Sequence, residues 1–170
     1  ADSGLVLEGA TFVENQASGG ANQTAQGGAV CVMSNAAQVE IQACHFMSNS
    51  AVVASGATYS GRGGAVYISG GDVEIEDTDF TDNIARNNSG LLAEGGGLYA
   101  SGLSFLSLKD CGFTNNRLYV NNANKSSLLG ASLYADNSSI LELKDCVFNG
   151  TELAAGNAPD MVYLSDCEQI

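Results

Sequence analysis

The chain has 170 residues, 45% of them hydrophobic, and a formal net charge of −13 from 6 basic and 19 acidic residues. This length and apolar content suit one folded domain and exclude a disordered chain. The acidity argues against nucleic acid and anionic membrane surfaces as partners, because both are bound through clustered lysine and arginine. No apolar run approaches the roughly 18 residues that a spanning helix needs, so we predict no direct membrane insertion.

The sequence repeats about every 34 residues, and each repeat carries the same two signals. One is an F-x-x-N step whose phenylalanines lie 34, 34, 33 and 35 residues apart; the other is a glycine step that opens a short apolar strand. The phenylalanines and the asparagines of the four intact steps are Phe12, Phe46, Phe80, Phe113 and Phe148, and Asn15, Asn49, Asn83 and Asn116. A period in this range predicts stacked supersecondary units that share one continuous core.

The first predicted element of each repeat is a strand with aliphatic residues seven and five positions before the phenylalanine. Val73 and Ile75 are one such pair, and polar residues stand between and after them. This alternation predicts a strand with one buried face. Two positions before the phenylalanine the residue is always small: Ala10, Cys44, Thr78, Cys111 and Cys146. The change of parity predicts a corner near Asp77, Asp110 and Asp145.

The second predicted strand ends in the F-x-x-N step and is followed by a polar stretch of variable sequence. We expect these stretches, roughly 16–26, 50–62, 84–94, 117–129 and 150–158, to project as loops, where binding sites are common. Five N-x-S/T sequons fall in them or in polar turns: Asn22, Asn87, Asn124, Asn137 and Asn149. We interpret these as glycosylation sites of a eukaryotic secreted protein; the alternative is a loop composition rich in asparagine and serine.

The third predicted strand is the glycine step, which reads Gly27-Gly28-Ala29-Val30 in the first repeat. Paired glycines suit a backbone with positive φ or a close approach between chains. Three short strands per repeat and no helical period predict an all-β, right-handed parallel β-helix, a solenoid of about five coils within a single domain of residues 1–170. Because coils lie about 4.8 Å apart, equivalent phenylalanines and asparagines would form ladders along the solenoid.

Five cysteines occur without a C-x-x-C or Cys/His cluster, so the sequence gives no sign of structural zinc. Val162-Tyr163-Leu164-Ser165-Asp166-Cys167 aligns with the segment ending at Cys146. This alignment predicts a column of Cys111, Cys146 and Cys167, with a disulfide between Cys146 and either neighbour as one interpretation. The other interpretation is a column of small buried thiols.

The acidic residues are densest around the third aliphatic strand, where Asp72, Glu74 and Glu76 share a predicted outer face. Lys109 stacks above Glu76 in the predicted register and is expected to pair with it. A solvated surface is the simplest reading of this face, and a structural Ca²⁺ site is the weaker alternative. Apart from Ca²⁺ and N-linked glycans, we expect no cofactor and no other metal.

The alternation of GGA[ILV]-type and FxxN steps resembles the polymorphic membrane protein repeats of chlamydial surface proteins. The resemblance covers nearly the whole chain and is clearest at Gly27–Val30 and at Gly63-Gly64-Ala65-Val66; Gly130-Ala131-Ser132-Leu133 and the last step at Phe148 depart from it. It implies a right-handed β-helix of the pectin-lyase-like superfold, in a secreted or surface-exposed adhesin.

Strand signals run from Leu5 to Cys167 without a polar cap, so we expect neighbours to cover the ends, as in a segment or subunit of a larger assembly. We therefore predict a non-catalytic, extracellular or cell-surface structural or adhesive rod that associates with itself or with neighbouring solenoid segments, and with host or matrix glycans or proteins. The alternatives are a carbohydrate-active enzyme, which needs converging carboxylates, and a Ca²⁺-stabilised glycan-binding module.

Overall fold

The computed structural model describes residues 4–20, 22–33, 38–54, 59–88, 92–121, 128–150 and 161–167. Over these ranges the chain forms short β-strands and no helix. All pairings between the strands are parallel. In this part of the chain there is accordingly no helix that could cross a bilayer.

The strands form five sheets, and the chain visits the sheets in the same order in every turn. The aliphatic sheet contains β1 (Leu5–Glu8), β6 (Gln38–Gln42), β11 (Asp72–Glu76), β16 (Phe105–Lys109) and β21 (Leu141–Lys144). The phenylalanine sheet contains β2 (Thr11–Val13), β7 (His45–Met47), β12 (Asp79–Thr81), β17 (Gly112–Thr114) and β22 (Val147–Asn149). The third sheet contains β3 (Gln16–Gly19), β8 (Ser50–Val53), β13 (Ile84–Asn87) and β18 (Arg117–Val120).

The remaining two sheets complete each turn. The fourth sheet has two-residue strands, β4 (Ala25–Gln26), β9 (Gly61–Arg62), β14 (Ala93–Glu94) and β19 (Leu128–Leu129). The glycine-step sheet contains β5 (Val30–Met33), β10 (Val66–Ser69), β15 (Leu98–Ser101), β20 (Leu133–Asp136) and β23 (Val162–Ser165). The chain is therefore an all-β parallel solenoid of about four turns, which confirms the predicted fold class and period. Three of the five sheets have five strands and the other two have four.

Each turn has more strands than the sequence pattern predicted. The aliphatic, phenylalanine and glycine-step strands are present, but four of the five stretches predicted to be loops begin with a strand of the third sheet and end with one of the fourth. Most of the fifth stretch, 150–158, lies outside the described residues. The strands of the fourth sheet escaped prediction because they have only two residues. Those of the third sheet escaped it because their inward residues do not repeat one large apolar type from turn to turn, as with Ala51 and Ala85. The two sheets enclose small cores of their own beside the main one.

The main core is organised as columns of identical residues, as predicted. The phenylalanine rings stack face to face, with centroids 4.7–5.0 Å apart from Phe12 to Phe148. Beside them the asparagines form a hydrogen-bonded ladder. The backbone N–H and the side-chain Nδ2 of Asn49 both donate to Oδ1 of Asn83, at 2.9 and 3.0 Å. Asn83 repeats the pattern on Asn116, so each turn fixes the next.

The two glycines of the glycine step meet different requirements. Gly63 has a φ of 63°, in the left-handed region that glycine adopts at least cost. Gly64 follows it at a close approach, where an added Cβ would overlap the carbonyl oxygen of Gly96 in the next turn. The corners predicted near three aspartates are confirmed, since Asp77, Asp110 and Asp145 have φ of 49°, 51° and 51°.

The last described strand does not lie where the sequence alignment placed it. β23 pairs with β20 of the glycine-step sheet, with Tyr163 opposite Tyr134, instead of stacking on the aliphatic strand β21. Cys167, two residues past Ser165, therefore follows the register of Ser138 and not that of Cys146. The predicted column of three cysteines is wrong for Cys167, because the Val-Tyr-Leu-Ser segment resembles Val66-Tyr67-Ile68-Ser69 and takes the tyrosine register.

Candidate functional site

A second aromatic column runs along the outer side of the glycine-step sheet. The tyrosine column consists of Tyr67, Tyr99, Tyr134 and Tyr163, whose rings stack with centroids 4.7–5.1 Å apart. The first three are buried, although they point away from the main core. No predicted element accounted for these tyrosines or for their burial. The available signal was the tyrosine that recurs in the glycine steps from the second repeat onward, at the position that Cys31 has in the first.

The fourth sheet contributes an ion pair beside the tyrosine column. Arg62 Nε donates to Oε2 of the buried Glu94 at 2.6 Å, and the guanidinium carbon lies 5.3 Å from the ring centroid of Tyr99. Burial raises the pKa of Glu94, and the neighbouring Arg62 opposes this effect. Burial likewise raises the pKa of Tyr99 and of Tyr134. The Glu94 carboxylate is bound by Arg62, and Arg62 packs on the Tyr99 ring. We therefore interpret this ion pair as a structural contact between the fourth sheet and the tyrosine column.

The predicted glycan acceptors differ in accessibility. Asn22, Asn137 and Asn149 are all exposed. Asn22 lies in a turn closed by a hydrogen bond from the Gln23 N–H to the Gly20 carbonyl, and Asn137 occupies a corner with a φ of 49°. Asn124 lies outside the described residues. Three of the sequons are therefore placed where a glycan would extend into solvent.

The structure disagrees with glycosylation at Asn87. This residue ends β13, has 0% of its surface exposed, and its Nδ2 donates to the carbonyl oxygens of Tyr59 and Leu92 at 2.7 and 3.2 Å. N-glycosylation would replace one of these N–H groups and put a sugar into a closed space. The prediction failed because the sequon looked like part of a polar loop, whereas Asn87 is an inward residue of the third sheet.

Two of the cysteines are neighbours in the column of small residues before the phenylalanines. Cys111 and Cys146 stand one turn apart in register, and the Val147 N–H donates to the Cys111 carbonyl at 2.9 Å. Cys44 belongs to the same column but has Thr78 as its next neighbour, with its N–H donating to Thr78 Oγ1 at 3.3 Å. All five cysteines are free thiols in this structure.

The acidic outer face has the predicted arrangement. Asp72, Glu74 and Glu76 alternate along β11, and Glu74 stands in register between Glu40 and Ser107. Lys109 forms an ion pair with Glu76, as the stacking predicted. No group of three or more His, Cys, Asp or Glu side chains among the described residues is arranged to hold a metal ion. The Ca²⁺ candidate therefore has no ligand cluster in this part of the chain.

The last aliphatic strand leaves its core residue open. Leu143 stands in register with Leu108, Ile75 and Ile41, which are 0–1% exposed, yet Leu143 is 38% exposed. Phe148 and, at the other end, Phe12 are only half-buried, whereas the three phenylalanines between them are buried completely. Both end rungs thus present positions that belong to the core in the inner rungs.

No protein-family model matches the chain, and no curated protein or solved structure matches it either.

Proposed function

We propose that this chain is a non-catalytic structural rod of the cell surface or extracellular space that builds a filament, appendage or adhesin by end-to-end association. The observation that carries the proposal is the open core at the end rungs. Leu143 occupies a position that is buried in the inner turns, and it is 38% exposed. A further coil or a second copy would cover it in the way that each turn covers its neighbour.

The physical reason is common to all solenoids. Each turn contacts only the turns beside it, so an end rung keeps unpaired strand edges and apolar side chains unless something covers them. Covering apolar surface contributes about 25 cal/mol per Å². The ladders favour a partner with the same period, since rings and amides continue only onto equivalent residues. A second copy of this chain, or a neighbouring solenoid segment, provides such a surface.

Two further observations support an extracellular location. Asn22, Asn137 and Asn149 are exposed sequon residues, as expected for a glycoprotein. The alternation of glycine steps and F-x-x-N steps resembles the polymorphic membrane protein repeats, whose members are secreted or surface adhesins. We propose that host or matrix glycans and proteins bind to the variable stretches of sequence that connect the strands of the third sheet to those of the fourth.

Light scattering coupled to size-exclusion chromatography tests the association. We expect the mass to rise above the 17.4 kDa of one chain as the concentration increases. Leu143→Lys should suppress that rise, because a charge at the open core position opposes docking. Gln42→Lys is the matched control, since it introduces the same residue on the outer face of an inner rung.

A mass of one chain at every concentration would contradict self-association and leave neighbouring solenoid segments as the partner. An equal effect of the two lysine substitutions would show that association is not end to end. Turnover of an acidic polysaccharide by the purified chain would contradict the non-catalytic role.

A further inference from the structure

Cys111 and Cys146 are placed to react with each other. They are equivalent residues of adjacent turns, and strands so paired put α-carbons about 4.8 Å apart, within the range that a disulfide spans. The Sγ atoms occupy the same environment one turn apart: Cys111 Sγ donates to the Ile75 carbonyl at 3.4 Å, and Cys146 Sγ to the Leu108 carbonyl at 3.4 Å. Forming a bond between them requires no change of register.

The two thiols differ in reactivity. Cys111 is 2% exposed, whereas Cys146, in the last turn, is half-buried and reachable from solvent. Interaction with the neighbouring Cys111 thiol lowers the pKa of Cys146 to about 7. Interaction with Cys146, together with burial, raises the pKa of Cys111. A thiolate is the attacking species in thiol–disulfide exchange. Accessibility and acidity therefore both single out Cys146.

We propose that Cys111 and Cys146 form a thiol–disulfide site for low-molecular-weight disulfides, in which Cys146 reacts first and Cys111 resolves the product into a bond between adjacent turns. The Cys146 thiolate attacks one sulfur of the small disulfide, whose S–S bond breaks and releases one thiolate. Cys111 loses its proton to solvent and attacks the Cys146 sulfur, which releases the second thiolate. The cysteine pair is oxidised by two electrons, and the small disulfide is reduced to two thiols.

This inference does not rest on the proposed function. The bond would tie the last turn to the one before it at a position inside the core, which constrains the unfolded chain. Cys44 cannot take part, because Thr78 occupies the equivalent position in the next turn. Cys167 cannot take part either, because it follows the register of Ser138. The site is thus specific to one pair among the five cysteines.

The test uses reduced, folded protein with the exposed Cys31 replaced by serine, incubated with oxidised glutathione. Acid quenching, alkylation of the remaining thiols and peptide mapping then identify the linked cysteines. We expect tryptic peptides 110–117 and 145–170 to become cross-linked through Cys111 and Cys146, with two thiols lost per chain. Cys167→Ser should leave the cross-link unchanged.

Two further variants test the order of attack. Cys111→Ser should accumulate a glutathione mixed disulfide on Cys146, whereas Cys146→Ser should leave Cys111 unmodified in the folded chain. The absence of a cross-link in the folded parent, or a link between Cys146 and Cys167, would overturn the proposal. Equal glutathione uptake by the two serine variants would overturn the assigned order. If a serine variant fails to fold, as judged by its circular dichroism, the parent and Cys167→Ser still decide the pairing.

Discussion

At the scale of single residues, the turns of the solenoid depend on left-handed corners. Ten non-glycine residues within the described ranges have positive φ, and seven of them are aspartate or asparagine. Short polar side chains tolerate this region because they hydrogen-bond locally. Ala43 has a φ of 51° without such help, at the corner where the first repeat has Gly9 with a φ of 59°. This corner is a place where the sequence is not optimal for its conformation.

Ala43→Gly should therefore stabilise the protein. A left-handed alanine costs about 1–2 kcal/mol, and the greater freedom of glycine in the unfolded chain offsets part of the gain. We expect the free energy of unfolding to rise by about 0.5–1 kcal/mol, measured by urea denaturation. Ala51→Gly is the control, because Ala51 is buried in β8 and the same change there should destabilise. A loss of stability in both variants would contradict the account of the corner.

The asparagine ladder holds the inner turns through groups that cannot reach water. Asn83 is completely buried, accepts from the Asn49 N–H and Nδ2, and donates to the Phe46 carbonyl at 2.9 Å. Replacing it by alanine would leave those buried groups without partners. Each such group costs about 1–3 kcal/mol. The ladder is thus expected to be among the most sensitive features of the fold.

Asn83→Ala should lower the free energy of unfolding by at least about 3 kcal/mol, because more than one buried group loses its partner. Asn15→Ala is the matched variant at the first rung, where the side chain is exposed and only donates to Asn49. Its cost should be smaller, about 1–2 kcal/mol. Urea denaturation of both variants measures the difference. Equal costs would show that burial of the ladder does not determine its contribution.

At the scale of the strand, the contribution of the Arg62–Glu94 ion pair to stability should depend on pH. Burial raises the pKa of Glu94 above the ordinary glutamate value of 4.5 despite the neighbouring Arg62. A raised carboxyl pKa in the folded state means that the folded state holds its proton more tightly than the unfolded state does. The contribution of Glu94 to stability therefore falls as pH rises from 4.5 towards its folded pKa.

Glu94→Gln should flatten this part of the pH dependence, because glutamine does not titrate. The measurement is the free energy of unfolding of parent and variant between pH 4 and 8, with Glu142→Gln, an exposed carboxylate of β21, as control. As pH rises from 4.5, the free energy of unfolding of the parent should fall relative to that of Glu94→Gln. A constant difference across the range would contradict the assignment of the raised pKa to Glu94.

The elements that the sequence predicted are those with a strong repeated pattern. The aliphatic alternation, the phenylalanines and the glycine steps each recur in the repeats with residues of one type at one position. Their predicted registers match the structure. The strands of the fourth sheet have two residues each, and those of the third sheet differ in sequence from turn to turn, so neither set shows a repeated pattern. Asn87 was misread for that reason. Cys167 was misplaced because one short segment fitted two registers, and only pairing distinguishes them.

At the scale of the whole molecule, the stacked columns stabilise the inner turns and leave apolar surface uncovered at the end rungs. Phenylalanine, asparagine and tyrosine columns run parallel through the turns, so each turn is fixed by its two neighbours and an end rung by one. The net charge of −13 opposes contact between copies, and salt should weaken that repulsion. Burial of the uncovered core residues favours association at the ends, and repulsion between the negatively charged copies opposes it. Added salt should therefore favour association.

If the end rungs are docking surfaces, association should protect their backbone amides. Hydrogen–deuterium exchange, compared between dilute and concentrated protein, measures this protection. We expect exchange to slow with concentration in β1, β2, β21 and β22, and to stay unchanged in the inner strands β11 and β12. Protection that rises equally in all rungs, or an end rung whose exchange does not depend on concentration while the mass of the particle grows, would contradict docking at the end rungs.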